Sequence, residues 1–108
     1  MAKGFGGMSN LLKQAQELQT RMAQAQEDLA SKTVEAAAGG GMVRATVNGQ
    51  LAVSSIRIDA AVVKPQETEM LQDLILAAVN EGLRRARDMA AEEMSKITGG
   101  LKIPGLTP

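Results

Sequence analysis

The chain predicts an α+β domain: a long N-terminal helix, a three-stranded antiparallel meander and a long C-terminal helix. Two stretches with helical apolar spacing flank a central stretch whose apolar residues alternate with polar ones, and an Asn-Gly pair lies within it. No internal repeat is visible, and this element order fits a helix-on-sheet layer architecture. A length of 108 residues fits a single domain.

Residues 1–8, with Gly4, Gly6 and Gly7, read as a flexible arm ahead of a domain spanning 9–98. Ser9 and Asn10 are favourable N-caps, so the first helix is expected to start there. Its apolar positions are Met8, Leu11, Ala15, Leu18, Met22, Ala25 and Leu29, with spacings that alternate three and four. That is a heptad seam. Glu17 with Arg21, and Asp28 with Lys32, form i,i+4 pairs in the favourable order. Helical character ends near Lys32, and about 23 residues of helix span roughly 35 Å.

A short strand begins at Thr33-Val34-Glu35-Ala36, and Gly39-Gly40-Gly41 turns the chain. Val43, Ala45 and Val47 then alternate with Arg44, Thr46 and Asn48, the period of a half-buried strand. Asn48-Gly49 predicts a two-residue type I′ hairpin. That turn would set Val47 opposite Gln50, Ala45 opposite Ala52 and Val43 opposite Ser54. Ile56 and Ile58 extend the same apolar side. The other side would carry Met42, Arg44, Thr46, Leu51, Val53 and Arg57. Leu51 and Val53 are too apolar for a fully wet face, and another protomer is the expected cover.

Asp59 to Pro65 is a connection, because Pro65 disfavours helical geometry in the residue before it. Glu67 and Glu69 suit the positive end of a helix starting there. Met70 to Val79 is apolar around most of its circumference and is expected to be sandwiched. From Asn80 to Lys96 one side is polar, leaving Leu83, Ala86, Met89, Ala90, Met94 and Ile97 for contacts. Gly99-Gly100 ends the helix, and residues 99–108 read as a flexible tail. A helix of about 30 residues spans roughly 45 Å, whereas seven-residue strands cover about 23 Å. A compact domain of this length has a radius of gyration near ~13 Å. Both helices therefore outrun the sheet, and their projecting apolar stripes require an oligomer.

The composition narrows the function. Apolar residues make up 44% of the chain, but Phe5 is the lone aromatic and seven Met contribute soft packing. Twelve basic residues balance twelve acidic ones, which argues against a grip by bulk positive charge while allowing a local basic patch. Without His, Cys or Tyr there is no ready titrating base near neutral pH and no Cys/His zinc site, so no enzyme, cofactor or metal is expected. Gly39-Gly40-Gly41 lacks the Gly-Lys-Ser/Thr of a phosphate loop and joins strand to strand. Adjacent Glu92 and Glu93 point to different parts of the helix surface. No long apolar run marks the N-terminus, so neither signal peptide nor membrane span is expected.

The most suggestive charge cluster is Arg84-Arg85-Ala86-Arg87, whose forked guanidinium groups suit phosphate. Glu81 lies four residues before Arg85 and Asp88 four after Arg84, so a solvated face with internal pairs also explains it. On the first helix and its arm, Lys3, Lys13 and Arg21 outnumber Glu17.

The chain resembles the YbaB/EbfC nucleoid-associated proteins of bacteria. The likeness runs from Met8-Ser9-Asn10-Leu11-Leu12-Lys13-Gln14-Ala15-Gln16-Glu17-Leu18-Gln19 through Gly39-Gly40-Gly41-Met42-Val43 and Thr46-Val47-Asn48-Gly49. It continues in Ile56-Arg57-Ile58-Asp59, in Glu69 to Ile75, in Ala77-Ala78-Val79-Asn80 and in Thr98-Gly99-Gly100-Leu101. The resemblance implies a tweezer-shaped homodimer with projecting helices, resident in the cytoplasm on the nucleoid. It also implies binding of double-stranded DNA with modest sequence preference, for nucleoid organisation or gene regulation. Suitable DNA-contacting residues on the two helices are Lys13, Arg21, Arg84, Arg85 and Arg87. Leu11, Leu18, Met22, Leu51 and Val53 are the expected dimer interface. The alternative is a protein–protein interaction module or chaperone-like adaptor acting through the heptad and Met-rich faces.

Overall fold

In the computed structural model, residues 2–99 are described and the element order is the expected one. Helix α1 (Ala2–Ser31) is followed by strands β1 (Thr33–Ala38), β2 (Val43–Asn48) and β3 (Val53–Ile58) and by helix α2 (Thr68–Thr98). The strands form one antiparallel sheet in the order β1-β2-β3. Short 3-10 turns at Ala60–Val62 and Pro65–Glu67 connect β3 to α2. Asp59 caps the first of these, its Oδ1 accepting from the Ala61 N–H at 2.8 Å.

Helix α1 starts at Ala2 and not at Ser9, so residues 2–8 extend the helix where an arm was expected. Glycines lower helix propensity, but extending an existing helix requires no new nucleus. Apart from Gly99, the expected tail lies outside the described residues.

A stripe of small residues seats α2 on the sheet. Ala78, Gly82 and Ala86 recur every four residues, and all three are buried. A Cβ at Gly82 would lie 2.8 Å from Val47 Cγ2 and 3.8 Å from Ala36 Cβ. Helix and strands approach too closely there for any side chain. Val43, Ala45, Val62 and Ala78 form the buried core, with Leu71, Leu74, Ile75 and Val79 packed around it. The sandwich expected for Met70–Val79 is covered on one side: Met70 and Leu76 remain exposed. Helix α2 lies over β1 and β2, and the helix-facing side of β3, whose residues are all exposed, stays open.

The hairpin between β2 and β3 departs from the two-residue turn. Asn48 N–H donates to the Ala52 carbonyl, Asn48 Oδ1 accepts from the N–H groups of Gln50 and Ala52, and Leu51 adopts φ 64°. This is a three-residue loop ending in a left-handed residue, a common hairpin solution. Gly49 is pinned beneath Leu29, because its N–H donates to the carbonyls of Leu29 and Lys32. A bulge between Thr46 and Val47 then shifts the register. Val43 pairs with Ile58, Ala45 with Ile56 and Val47 with Val53, which corrects the expected partners Ser54, Ala52 and Gln50. Ile56 and Ile58 keep their expected face. Val53 moves to the helix-facing side, opposite its expected one, and Leu51 sits in the loop.

The C-terminal end of α1 is tied to α2. Leu29 is fully buried, and Lys32 Nζ reaches Glu93 across the two helices at 3.0 Å. The Asp28–Lys32 pair expected from spacing yields to this tertiary contact. Toward its N-terminus α1 leaves the body, giving a molecule 79 × 27 × 16 Å with a radius of gyration of 21.2 Å.

Gly82→Ala tests the close approach. Overpacking costs about 1–3 kcal/mol, against about 1 kcal/mol gained by replacing a helical glycine. A net loss of about 1 kcal/mol is expected, measured by urea unfolding at fixed protein concentration. An unchanged midpoint would show that α2 can lift off the sheet at no cost.

Candidate nucleic-acid interface

Two helical turns of α1 build the first basic patch. Lys13, Gln16, Glu17, Thr20 and Arg21 line an open hollow of about 430 Å³ on the polar side of the projecting helix. At about 100° per residue, Lys13 lies across the helix from Leu11 and Leu18, and Arg21 lies on its flank. The apolar seam and the basic patch therefore face different directions. Glu17 sits between the two cations, yet neither forms an ion pair among the described residues.

The arginine cluster of α2 divides into bound and free members. Arg84 bridges Glu81 and Asp88, the latter at 3.2 Å. Arg85 donates to Glu81 from Nε at 3.2 Å and to the Glu35 carbonyl from Nη1 at 2.9 Å. Arg87 has no carboxylate partner among the described residues. Hydrogen bonding from Arg84, assisted by Arg85 and by the charges of both arginines, holds the Glu81 carboxyl down from 4.5 to about 2. The same contact raises the Arg84 guanidinium. Arg84 and Arg85 thus share the nearby carboxylates, whereas Arg87 has none among the described residues.

Of the five expected DNA-contacting residues, Lys13, Arg21 and Arg87 have no carboxylate partner among the described residues. They belong to two helices, with no common cavity among the described residues. Arg57 is a further unpaired cation on the solvent side of β3, unpartnered among the described residues. Its outward direction follows from the strand alternation, whereas the DNA contacts expected from the sequence lie on the two helices. Among the described residues no carboxylate group is arranged to hold a metal ion, and no helix is long and apolar enough to cross a membrane.

The expected interface residues also divide. Leu18 is half-buried, while Leu11, Met22, Leu51 and Val53 are exposed. The seam of α1 is covered only toward Leu29, so its outer two-thirds has no partner among the described residues. Ile56 and Ile58 add to the open apolar surface beside Val53.

Comparison with known proteins gives consistent matches along the chain. Residues 4–101 match the model of the YbaB/EbfC DNA-binding family. A nucleoid-associated protein of Syntrophobacter fumaroxidans is 58% identical over 98% of this chain and 93% of its own length. One of Thermoanaerobacter sp. strain X514 is 54% identical over 98% of this chain and 99% of its own. The crystal structure of an uncharacterized protein from Helicobacter pylori superposes with a TM-score of 0.74, at 21% identity, over 84% of this chain and 96% of that one. That likeness concerns the fold.

The pairing of the cluster sets a pH expectation. Because the folded pKa of Glu81 is depressed, its bridges persist above the ordinary carboxyl value and are lost as pH falls through about 2. Carboxyl NMR should find Glu81 still ionised at pH values where an unpaired glutamate is protonated; a midpoint near 4.5 would mean that the arginines are free. Glu81→Gln should tighten duplex binding by releasing Arg84 and Arg85, measured by fluorescence anisotropy.

Proposed function

The chain belongs to the YbaB/EbfC DNA-binding family, and on that footing we propose that it is a non-enzymatic, cytoplasmic, nucleoid-associated protein. It binds double-stranded DNA as a homodimer with low or modest sequence specificity, organising the nucleoid or regulating gene expression. The observation that carries this reading is the set of unpaired cations on the two long helices, Lys13, Arg21 and Arg87. Each protomer contributes the set once, and a dimer presents it twice to one polyanion. The cations neutralise backbone phosphates and release condensed counterions, which supplies affinity without reading sequence. With Phe5 the lone aromatic in the chain, base-stacking platforms for single strands or RNA are lacking. The absence of His, Cys and Tyr leaves this mode of action without a chemical step.

Dimerisation is supported by the uncovered apolar surface. The α1 seam through Leu11, Leu18 and Met22 needs a cover, and so does the edge formed by Leu51, Val53, Ile56 and Ile58. A second copy brings the same surfaces and satisfies both by symmetry. Met22 on the seam adapts to such a contact.

Three contacts per protomer, doubled in the dimer, give a log–log salt slope of about −5 or steeper for duplex binding. A slope near zero rejects the mechanism. Charge reversal at Lys13, Arg21 or Arg87 should weaken binding at low salt, whereas Arg84→Gln should change it less. Leu18→Asp combined with Val53→Asp should halve the mass seen by sedimentation; an unaltered mass would move the dimer contact elsewhere.

A further inference from the structure

The sheet face turned away from α2 carries two arginines set directly opposite one another. Arg44 and Arg57 are register partners on β2 and β3, and both are exposed. The alternate residues of β2, Val43, Ala45 and Val47, are fully buried toward α2, so the arginines point the other way. Like charges directly opposite on neighbouring strands destabilise a sheet. Glu35 on β1 relieves this in part, its Oε1 accepting from Arg44 Nη1 at 2.8 Å. Arg57 has no such partner among the described residues. The next rung on the same face pairs Thr46 with Ser55, two hydroxyls that can donate.

The two arginines border an open hollow of about 250 Å³ together with Gly41, Met42, Ile58 and Asp59. Asp59 brings a negative charge to its rim, but its Oδ1 is engaged in capping the Ala61 N–H. Neither guanidinium is folded into packing or a strong ion pair, since the Arg44–Glu35 bridge joins two half-exposed side chains and such bridges contribute little. An anion placed over the rung removes the repulsion and meets forked donors from both sides.

We infer that this rung, Arg44–Arg57 with Thr46–Ser55 beside it, is a second phosphate-contacting surface, through which the sheet engages the backbone of double-stranded DNA. The inference rests on the DNA-binding reading above and adds a surface outside the two helices. Arg57 is its principal contact. Arg44 is the lesser contact, because the Glu35 carboxylate competes weakly with phosphate for it.

The test is a salt titration of duplex binding by the dimeric full chain and its variants, with solution mass and circular dichroism recorded for each. Arg57→Gln should lower the salt slope by about 0.9 per protomer, about 1.8 per dimer, and weaken binding roughly tenfold per lost contact at about 50 mM salt. Arg57→Lys should restore most of the slope, because the charge remains. Glu35→Gln should act in the opposite sense, tightening binding and steepening the slope as Arg44 is released. An unchanged slope in Arg57→Gln, or weaker binding in Glu35→Gln, overturns the inference while leaving helix-mediated binding intact. A wild-type chain that ignores duplex DNA overturns the DNA-binding reading and this surface with it.

Discussion

A helix of 31 residues cannot be covered by strands of six, and this mismatch governs the molecule. At about 1.5 Å per residue each helix runs roughly 45 Å, while a six-residue strand covers about 20 Å. The sheet therefore grips α2 where small residues allow close approach, at Ala78, Gly82 and Ala86, and holds α1 at its C-terminal end through Leu29 and the Lys32–Glu93 bridge. Toward its N-terminus α1 projects beyond those anchors, its residues there being exposed. The radius of gyration of 21.2 Å, against ~13 Å for a compact domain of this length, measures the projection. A thin core also follows. It is built from Val and Ala with one buried Leu, and burial near 25 cal/mol per Å² gains little from such small side chains. The exposed α1 seam and the exposed apolar residues of β3 are area that the single chain leaves uncovered among the described residues.

Net charge is a poor guide to what this surface offers an anion. The chain is neutral by formal count, but its charges are unevenly committed. Glu81 and Asp88 occupy Arg84, Glu81 also occupies Arg85, and Glu93 occupies Lys32 and Lys96. The Glu93 carboxyl is held below its ordinary value, chiefly by its hydrogen bond from Lys32. With these acidic groups turned inward upon neighbouring cations, Lys13, Arg21, Arg57 and Arg87 remain without carboxylate partners among the described residues. Local pairing decides which cations are free to release counterions.

Element type and order were legible in the sequence because periodicity reports which face is buried. The Val43, Ala45, Val47 alternation and the later stripe of α2 through Ala86 both met their expected faces. The hairpin register was not legible. Asn48-Gly49 favours a two-residue turn in isolation, but Gly49 is held under Leu29 by hydrogen bonds to α1, and Asn48 Oδ1 organises a longer loop. Those partners lie about twenty residues upstream or form only once the loop has closed, so a local turn rule does not contain them. The same holds at the site. Spacing alone showed that Arg84 and Arg85 had carboxylates within reach, but the Arg85 bond to the Glu35 carbonyl spans 50 residues. Lys32 likewise prefers Glu93 to Asp28, a choice set by how the helices meet.

Few free cations on a long frame also limit how tightly the protein can hold DNA. Each phosphate contact contributes about 0.9 to the salt slope, and contacts of this kind place non-specific binding at dissociation constants of roughly 10⁻⁴–10⁻⁶ M at physiological salt. A more basic chain would bind more tightly and leave more slowly. The carboxylates of Glu35, Glu81 and Asp88 lie against arginines, so any anion approaching those arginines competes with them. A neutral composition is therefore compatible with membership of a DNA-binding family: the arginines are present, and their neighbours determine how much of their charge is exposed.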